Sequence, residues 1–321
     1  MSRKGLVAAV FASVVVAAVA LTHLSIPSAS NPYLARPGYV SPDSMAKRAA
    51  ATATGGDGVI LSRLARTPTA VWLTPEAFPV SRVQTKVRQV SERAVKARRT
   101  PTFVVYGIPS RDCQGGHSRG GLSSSDYVRW VGQIAGGLAK GSAVILEPDA
   151  LASAPACKMV SSRVSLLKKV SVKLARRGAA VYLDAGHANW LAPEQMAGLL
   201  VRSGVKQLRG FSVNVAGYGS TSGEVAYARA VAEKVSRKTH FVVDTGRNGR
   251  GAGDTWCNPR GRALGATPRA FRGALDAYLW VKPPGESDGT CNGGPPAGSF
   301  WTQRALELAR NAGWTGTSGT G

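Results

Sequence analysis

The chain has 321 residues, 44% of them hydrophobic, with 41 Lys and Arg against 18 Asp and Glu, a net charge of +23. So basic a chain invites a nucleic-acid reading, but no RNP, zinc-finger or helix-turn-helix pattern accompanies the charge, and no GxGxxG or Walker loop follows the first strand-like run. The length suits one barrel-sized domain with a substantial core, and no Pro/Thr/Ser-rich linker introduces a second module.

Taken in chain order, Arg3 and Lys4 precede the apolar run GLVAAVFASVVVAAVAL, and Ser28-Ala29-Ser30 then offer small residues for cleavage. Residues 1–30 therefore read as an export signal or, through residues 5–22, as an uncleaved membrane anchor, and the protein as secreted or extracellular. Seven short runs of strand character follow, at 70–73 (AVWL), 103–108 (FVVYGI), 143–146 (AVIL), 180–183 (AVYL), 211–215 (FSVNV), 241–243 (FVV) and 278–281 (YLWV). Amphipathic helical stretches separate them. The first, 81–98, repeats Val83, Val87, Val90 and Ala94 on one face, and 124–139 repeats Tyr127, Val131, Ile134 and Leu138. A third spans 158–177 with Val164, Leu167, Val170 and Leu174 and stops at Gly178; 194–203 stops at Gly204, and 223–237 completes the set.

The basic residues fall on these helices. Segment 81–99 carries seven Lys/Arg against one Glu, and 158–177 carries seven and no acid. At helical spacing they read as solvated outer faces, which leaves room for electrostatic association with an anionic cell wall or membrane surface and none for a nucleic-acid partner.

Regular strand–helix alternation predicts an α/β fold with parallel strands under helices. Both a doubly wound sheet and a β/α barrel satisfy it. Polar residues after nearly every strand favour the barrel, because an open sheet concentrates its site at one switch point. Asp112, Asp149, Asp184, Asp244 and Asp288 all lie beyond strand ends. One barrel face would gather them into a ring of carboxylates, which suits chemistry on a sugar acetal.

Four cysteines, 113, 157, 257 and 291, agree with export, and three pairings are open. The sequential one, Cys113 with Cys157 and Cys257 with Cys291, would contribute roughly 4 kcal/mol per bond on the chain-entropy view. No CxxC or close Cys/His spacing supports zinc.

The local words then become specific. The pieces NPYLARPGYVSP (31–42), VVYGIPSRDC (104–113), VILEPDALA (144–152), YLDAGHANWL (182–191), FSVNVAGY (211–218), VVDTGRNG (242–249), DTWCNPRGRALG (254–265) and LWVKPPGESDG (279–289) occur in order. Over residues 31–312 the chain resembles glycoside hydrolase family 6, cellulases that cleave β-1,4-glucan with inversion. The resemblance implies a distorted barrel of seven parallel strands, sequential disulfides, a catalytic domain at 31–313 and a tail at 314–321.

The resemblance also assigns roles. Asp149 corresponds to the general acid; on spacing alone it serves equally well as a helix N-cap. Asp112 corresponds to the second aspartate, which raises the acid's pKa and helps relay a proton from water, although a salt bridge to Arg111 or Arg247 is its plainer reading. Ser118 matches the serine that orients this water, and Asp288 matches the acid proposed as base. Tyr106 matches the tyrosine that presses on the distorted sugar, while His187, Trp190, Asn214, Trp256, Lys282 and Glu286 match subsite residues. Taken singly, the two tryptophans and the histidine are ordinary core residues. Asp184 and Asp244 read as structural support, bonded to nearby backbone or to Arg247. Acid–base hydrolysis needs only water and carboxyls, so no metal or organic cofactor is implied.

Three positions depart from the family pattern: Gly107 where relatives often have Asp, Thr74 where some have an acid, and Ala192-Pro193 where others carry a further Trp. Short segments between the paired cysteines predict an open groove and internal cleavage by a monomer. Chain-end release of cellobiose, or an inactive wall-binding protein, are the alternatives.

Overall fold

The computed structural model describes residues 30–317. Residues 1–29, on which the expected export signal or anchor falls, and residues 318–321 lie outside them. Helices α1 (Pro32–Ala35), α2 (Met45–Thr52) and α3 (Gly55–Ala65) precede strand β1 (Val71–Leu73). Strand and helix then alternate: α4 (Val80–Lys96), β2 (Thr102–Val105), α5 (Ser124–Gly137), β3 (Ala143–Leu146), α6 (Val160–Ala175), β4 (Ala180–Asp184), α7 (Pro193–Arg202), β5 (Gly210–Val213), α8 (Thr221–Val235) and β6 (His240–Asp244). A hairpin of β7 (Arg269–Ala270) and β8 (Leu275–Leu279), and finally α9 (Thr302–Asn311), complete the fold.

The sheet runs β1-β2-β3-β4-β5-β6-β8-β7. Seven strands are parallel, as expected; the eighth, β7, is a two-residue antiparallel addition to β8 that the sequence reading did not contain. Adjacent strands pair in near-continuous register, for example Val105 opposite Leu146 and Leu146 opposite Leu183. Between β8 and β1 the barrel nearly closes. There the Ala70 N–H donates to Trp280 O at 3.2 Å, and the Trp72 indole donates to Val281 O at 2.9 Å.

Alternation along each strand builds two cores. Phe103, Val105, Val144, Leu146, Val181 and Leu183 face outward under the helices, where Val83, Val87, Tyr127, Ile134 and Leu167 meet them. Val104, Ile145, Tyr182 and Val242 face inward and fill the barrel, and alanines 143, 180 and 277 leave room for Tyr33 and Tyr182. Gly178 (φ 76°) and Gly204 (φ 85°) follow α6 and α7 in the left-handed conformation that ends a helix.

Helices α2, α3 and α9 have no counterpart in the sequence reading. They form a third apolar cluster, with Leu61, Leu64 and Leu308 against Trp280, beside the barrel seam. Trp314, placed in the tail by sequence, belongs to the folded domain: its ring lies 3.8 Å from the Arg63 guanidinium and 6.1 Å from Trp280. Among the described residues no helix is long and apolar enough to cross a membrane.

Candidate active site

A cleft of about 1640 Å³ opens at the ends of the parallel strands. All eleven candidate catalytic and binding residues line it: Asp112, Ser118, Asp149, Asp288, Tyr106, His187, Trp190, Asn214, Trp256, Lys282 and Glu286.

At its floor, β3 ends in Leu-Glu-Pro-Asp, and both carboxyl residues turn sharply, Glu147 at φ 55° and Asp149 at φ 68°. The turn is held by acceptors on neighbouring strands. The Glu147 carboxylate accepts from the Gly107 and Ile108 amides at 3.0–3.1 Å. The Asp184 carboxylate, at the end of β4, accepts from the Asp149 amide at 2.8 Å, the Gly186 amide at 2.9 Å and the Ser212 hydroxyl at 3.0 Å. Burial pushes both supporting carboxyls up to about 7 despite these bonds. Burial, then the charges of Asp184 and Asp112, hold Asp149 itself well above the usual carboxylate range, with Lys282 and Arg163 opposing. The site thus keeps a proton on Asp149 where an ordinary aspartate has lost it.

Asp112 does not take its expected cationic partners. Its carboxylate accepts from the Tyr106 hydroxyl at 2.5 Å and from the Ser118 amide at 3.0 Å. Arg111 pairs instead with Glu76 at 3.0 Å, donates to Tyr106 O and Ser118 O, each at 2.7 Å, and lies 4.6 Å from the Tyr106 ring. Arg247 pairs with Asp288 at 2.8 Å. Tyr106, Asp112 and Ser118 therefore form one unit at the end of β2, clamped from behind by Arg111.

The opposite wall is charge-balanced. Burial alone would raise Asp288, but Arg247, then Lys282 and the Asn258 amide, hold it below the ordinary value. Besides Arg247, its oxygens accept from the Tyr218 hydroxyl at 3.2 Å and the Asn258 amide at 3.1 Å. Glu286 close by is raised to about 7 by burial against the pull of Lys282 and Arg247. Asp244 spends its carboxylate on four amides, those of Ala216, Gly246, Val281 and Lys282. The structural-support reading of Asp184 and Asp244 thus stands, through backbone and not through Arg247.

Aromatic and polar surfaces continue along the cleft. Trp256 is 63% exposed at the rim. His187, kept neutral as burial lowers its pKa, lies 5.2 Å from the Trp190 ring. Asn214, only 1% exposed, spends its amide on Asp244 O at 2.9 Å and on the Gly219 backbone. At Gly107 a Cβ would stand 2.9 Å from Trp130 and 3.2 Å from Pro75, so this chain leaves no room for an aspartate there.

Both disulfides form in the sequential pattern, and each staples a cleft wall: Cys113–Cys157 ties the Asp112 loop to the segment after Asp149, and Cys257–Cys291 ties the loops bearing Trp256 and Asp288. His117 crosses between the walls. Its ring lies against Gly289 and 6.0 Å from Trp256, so the groove expected to be open is bridged at this point. His117, Cys257 and Cys291 are the single candidate metal grouping among the described residues, and its two sulfurs are already bonded to each other.

Arg163 was missed as a site residue, having been counted among the solvated cations of its helix. It is 2% exposed. Its guanidinium donates to Ala150 O and Ser153 Oγ, each at 2.7 Å, and to Ser110 O at 2.9 Å, joining the Asp149 and Asp112 loops from beneath. The available signal was its place beside Val164 and Leu167 on the apolar stripe of α6. Six non-glycine residues at these strand ends, Ser110, Asp112, Glu147, Asp149, Asn214 and Ala216, have φ between 53° and 68°.

A parallel barrel with carboxyls and exposed aromatics gathered in a cleft at its strand ends is the architecture of a sugar-cleaving hydrolase. Residues 33–312 match the family described as Glycosyl hydrolases family 6, and the chain belongs to that family. Endoglucanase A of Cellulomonas fimi is 47% identical over 278 residues, 86% of this chain and 61% of that protein, so this chain spans about three fifths of its relative. Endoglucanase 1 of Streptomyces halstedii is 38% identical over 84% of this chain and 87% of its own length. The solved endoglucanase Cel6 of Mycobacterium tuberculosis, in complex with methyl-cellobiosyl-4-deoxy-4-thio-β-D-cellobioside, is 42% identical with a TM-score of 0.83, covering 88% of this chain and all of that one.

Proposed function

We propose that this protein is an inverting endo-β-1,4-glucanase. The observation that carries the reading is the Asp149 carboxyl, kept protonated in the cleft by burial and by the charges of Asp184 and Asp112. Asp149 gives its proton to the glycosidic oxygen as the bond to the anomeric carbon breaks. Water then bonds to that carbon from the opposite face and releases a proton toward Asp112. Tyr106 and Ser118 fix the Asp112 carboxylate for this step, with the Ser118 hydroxyl turned to the water.

Asp288, although the family pattern suggests a base, is an ionised carboxylate already engaged by Arg247, Tyr218 and Asn258. Its contribution is to anchor the cationic wall beside Lys282. Trp256 and Trp190 present flat faces to pyranose C–H surfaces, and His187, Lys282 and Glu286 meet hydroxyls, while Asn214, its amide spent on Asp244 O and the Gly219 backbone, shapes the wall beneath them. Internal cleavage is favoured by the endoglucanases among the similar proteins. Two disulfides and the apolar run within residues 1–30 support export, and the net charge of +23 supports association with an anionic wall or membrane.

Reducing-sugar release from carboxymethylcellulose, with viscosity followed in parallel, tests the reading. Viscosity should collapse before much reducing sugar appears, and Asp149→Ala should lower turnover by roughly 10²–10⁴-fold. No turnover by the wild-type protein would leave a glucan-binding protein; full activity in Asp149→Ala would end the assignment of the acid.

A further inference from the structure

The barrel's other end, where the strands begin, is a continuous cationic surface. Arg98 and Arg99 lie between α4 and β2, Arg176 and Arg177 between α6 and β4, and Arg237 and Lys238 between α8 and β6. The intervening connections add Lys140, Lys206 and Arg272, nine in all, beside Arg209, which is engaged by Asp276. All nine are exposed, and none forms an ion pair among the described residues. The connections 97–101, 138–142, 176–179, 203–209, 236–239 and 271–274 contain no Asp or Glu. The exposed acids Glu92 and Glu233 lie on α4 and α8, and exposed Asp43 is engaged by Lys86 and Arg93 of α4. The connections also adjoin one another: Gly141 N–H donates to Gly178 O at 3.0 Å, and His240 N–H to Arg209 O at 3.3 Å. Their charges therefore act as one field.

The described chain enters the fold at this same end. The Asn31 side chain donates to Phe271 O at 3.1 Å and to Asp276 O at 2.9 Å, in the β7–β8 hairpin that carries Arg272. The sequence joined to that point contains the apolar run from Gly5 to Leu21.

We propose that this end of the barrel docks on an anionic lipid surface, so that the cleft at the opposite end faces away from the membrane. The proposal builds on the electrostatic association above and adds the face, the partner and the orientation. A cationic face close to an acidic leaflet gains from every residue it presents, whereas the active-site end lies beyond the reach of screened charge.

The test is co-sedimentation of the full chain with phosphatidylcholine vesicles with and without phosphatidylglycerol, in a salt series. Binding should strengthen with phosphatidylglycerol and weaken with salt. Replacing Arg98, Arg99, Arg176 and Arg177 with Gln should weaken the phosphatidylglycerol-dependent part by roughly fivefold per residue, while partition into pure phosphatidylcholine and turnover of soluble glucan stay unchanged. Arg250→Gln with Arg260→Gln, at the cleft end, should change binding by less than about twofold on the same basis. Vesicle-bound enzyme should still hydrolyse soluble glucan. Equal losses from the two ends, or a cleft silenced on binding, would overturn the orientation. Retention on soluble polyphosphate without any preference for phosphatidylglycerol would replace the membrane with a wall-type polyanion. No binding to either would remove the association itself and leave the glucanase reading untouched.

Discussion

The backbone amide of Asp149 donates to the side chain of Asp184 at 2.8 Å, so one aspartate sets both the direction and the acidity of another. The same carboxylate that fixes the left-handed turn at Asp149 supplies, after burial, the largest charge that keeps its proton on.

Asp184→Asn retains an acceptor for the Asp149 amide and removes the charge. Asp149 then loses its proton at lower pH, and the alkaline limb of the pH–rate profile should move toward acid. An unchanged alkaline limb, with the fold intact, would show that the limb belongs to another group.

Tyr106→Phe deletes the hydroxyl that holds Asp112 at 2.5 Å but keeps the ring over Arg111. Turnover should fall about 10–100-fold, as expected for loss of alignment of a reacting water. KM should move little. A change confined to KM would make Tyr106 a sugar contact and nothing more.

Arg163→Leu should destabilise the protein by roughly 2–4 kcal/mol, because the Ala150 and Ser110 carbonyls lose their buried donor. Denaturant unfolding measures the first effect. Residual folded enzyme should show a lower kcat, since the two loops carrying Asp112 and Asp149 are no longer tied together.

Stability should fall as pH rises from about 4 through about 7. Glu147, Asp184 and Glu224 are raised to about 7 mainly by burial. Between the unfolded carboxyl value of about 4 and the folded values, the native protein holds more protons than the unfolded chain, so stability declines as pH rises through this window. Tm should be higher at pH 5 than at pH 8, and Glu147→Gln should flatten the difference. A Tm that rises over the same interval would contradict the burial assigned to these groups.

The alternation of apolar strand runs with helices was legible because each β/α unit writes its own period, so helices α4 to α8 fall within a few residues of their expected bounds. Strand β7 was not, since two residues carry no period and form only by pairing with β8. Helix α2 escaped because its apolar stripe is Ala46, Ala49 and Ala50, and α3 because three glycines open it ahead of Ile60, Leu61 and Leu64; both pack in the cluster of α9 and Trp280, far away in sequence. The cleft residues were legible through family words, but their wiring was not. Nothing local tells that Asp112 takes Tyr106 and not Arg111, because both partners sit within six positions of it. Arg163 was misassigned for the converse reason: a cation in a basic helix looks solvated until its loops are folded over it.

Six side-chain-bearing residues twisted into glycine's territory around the cleft carry a trade-off for anyone who would improve this protein. Each costs about 1 kcal/mol or more against relaxed backbone. A heat-resistance screen would therefore reward glycine at Ala216, where only a methyl is lost, and hardier variants would gain robustness by slackening the supports that aim the reacting groups. Selection for survival at temperature and selection for turnover should pull this rim in opposite directions.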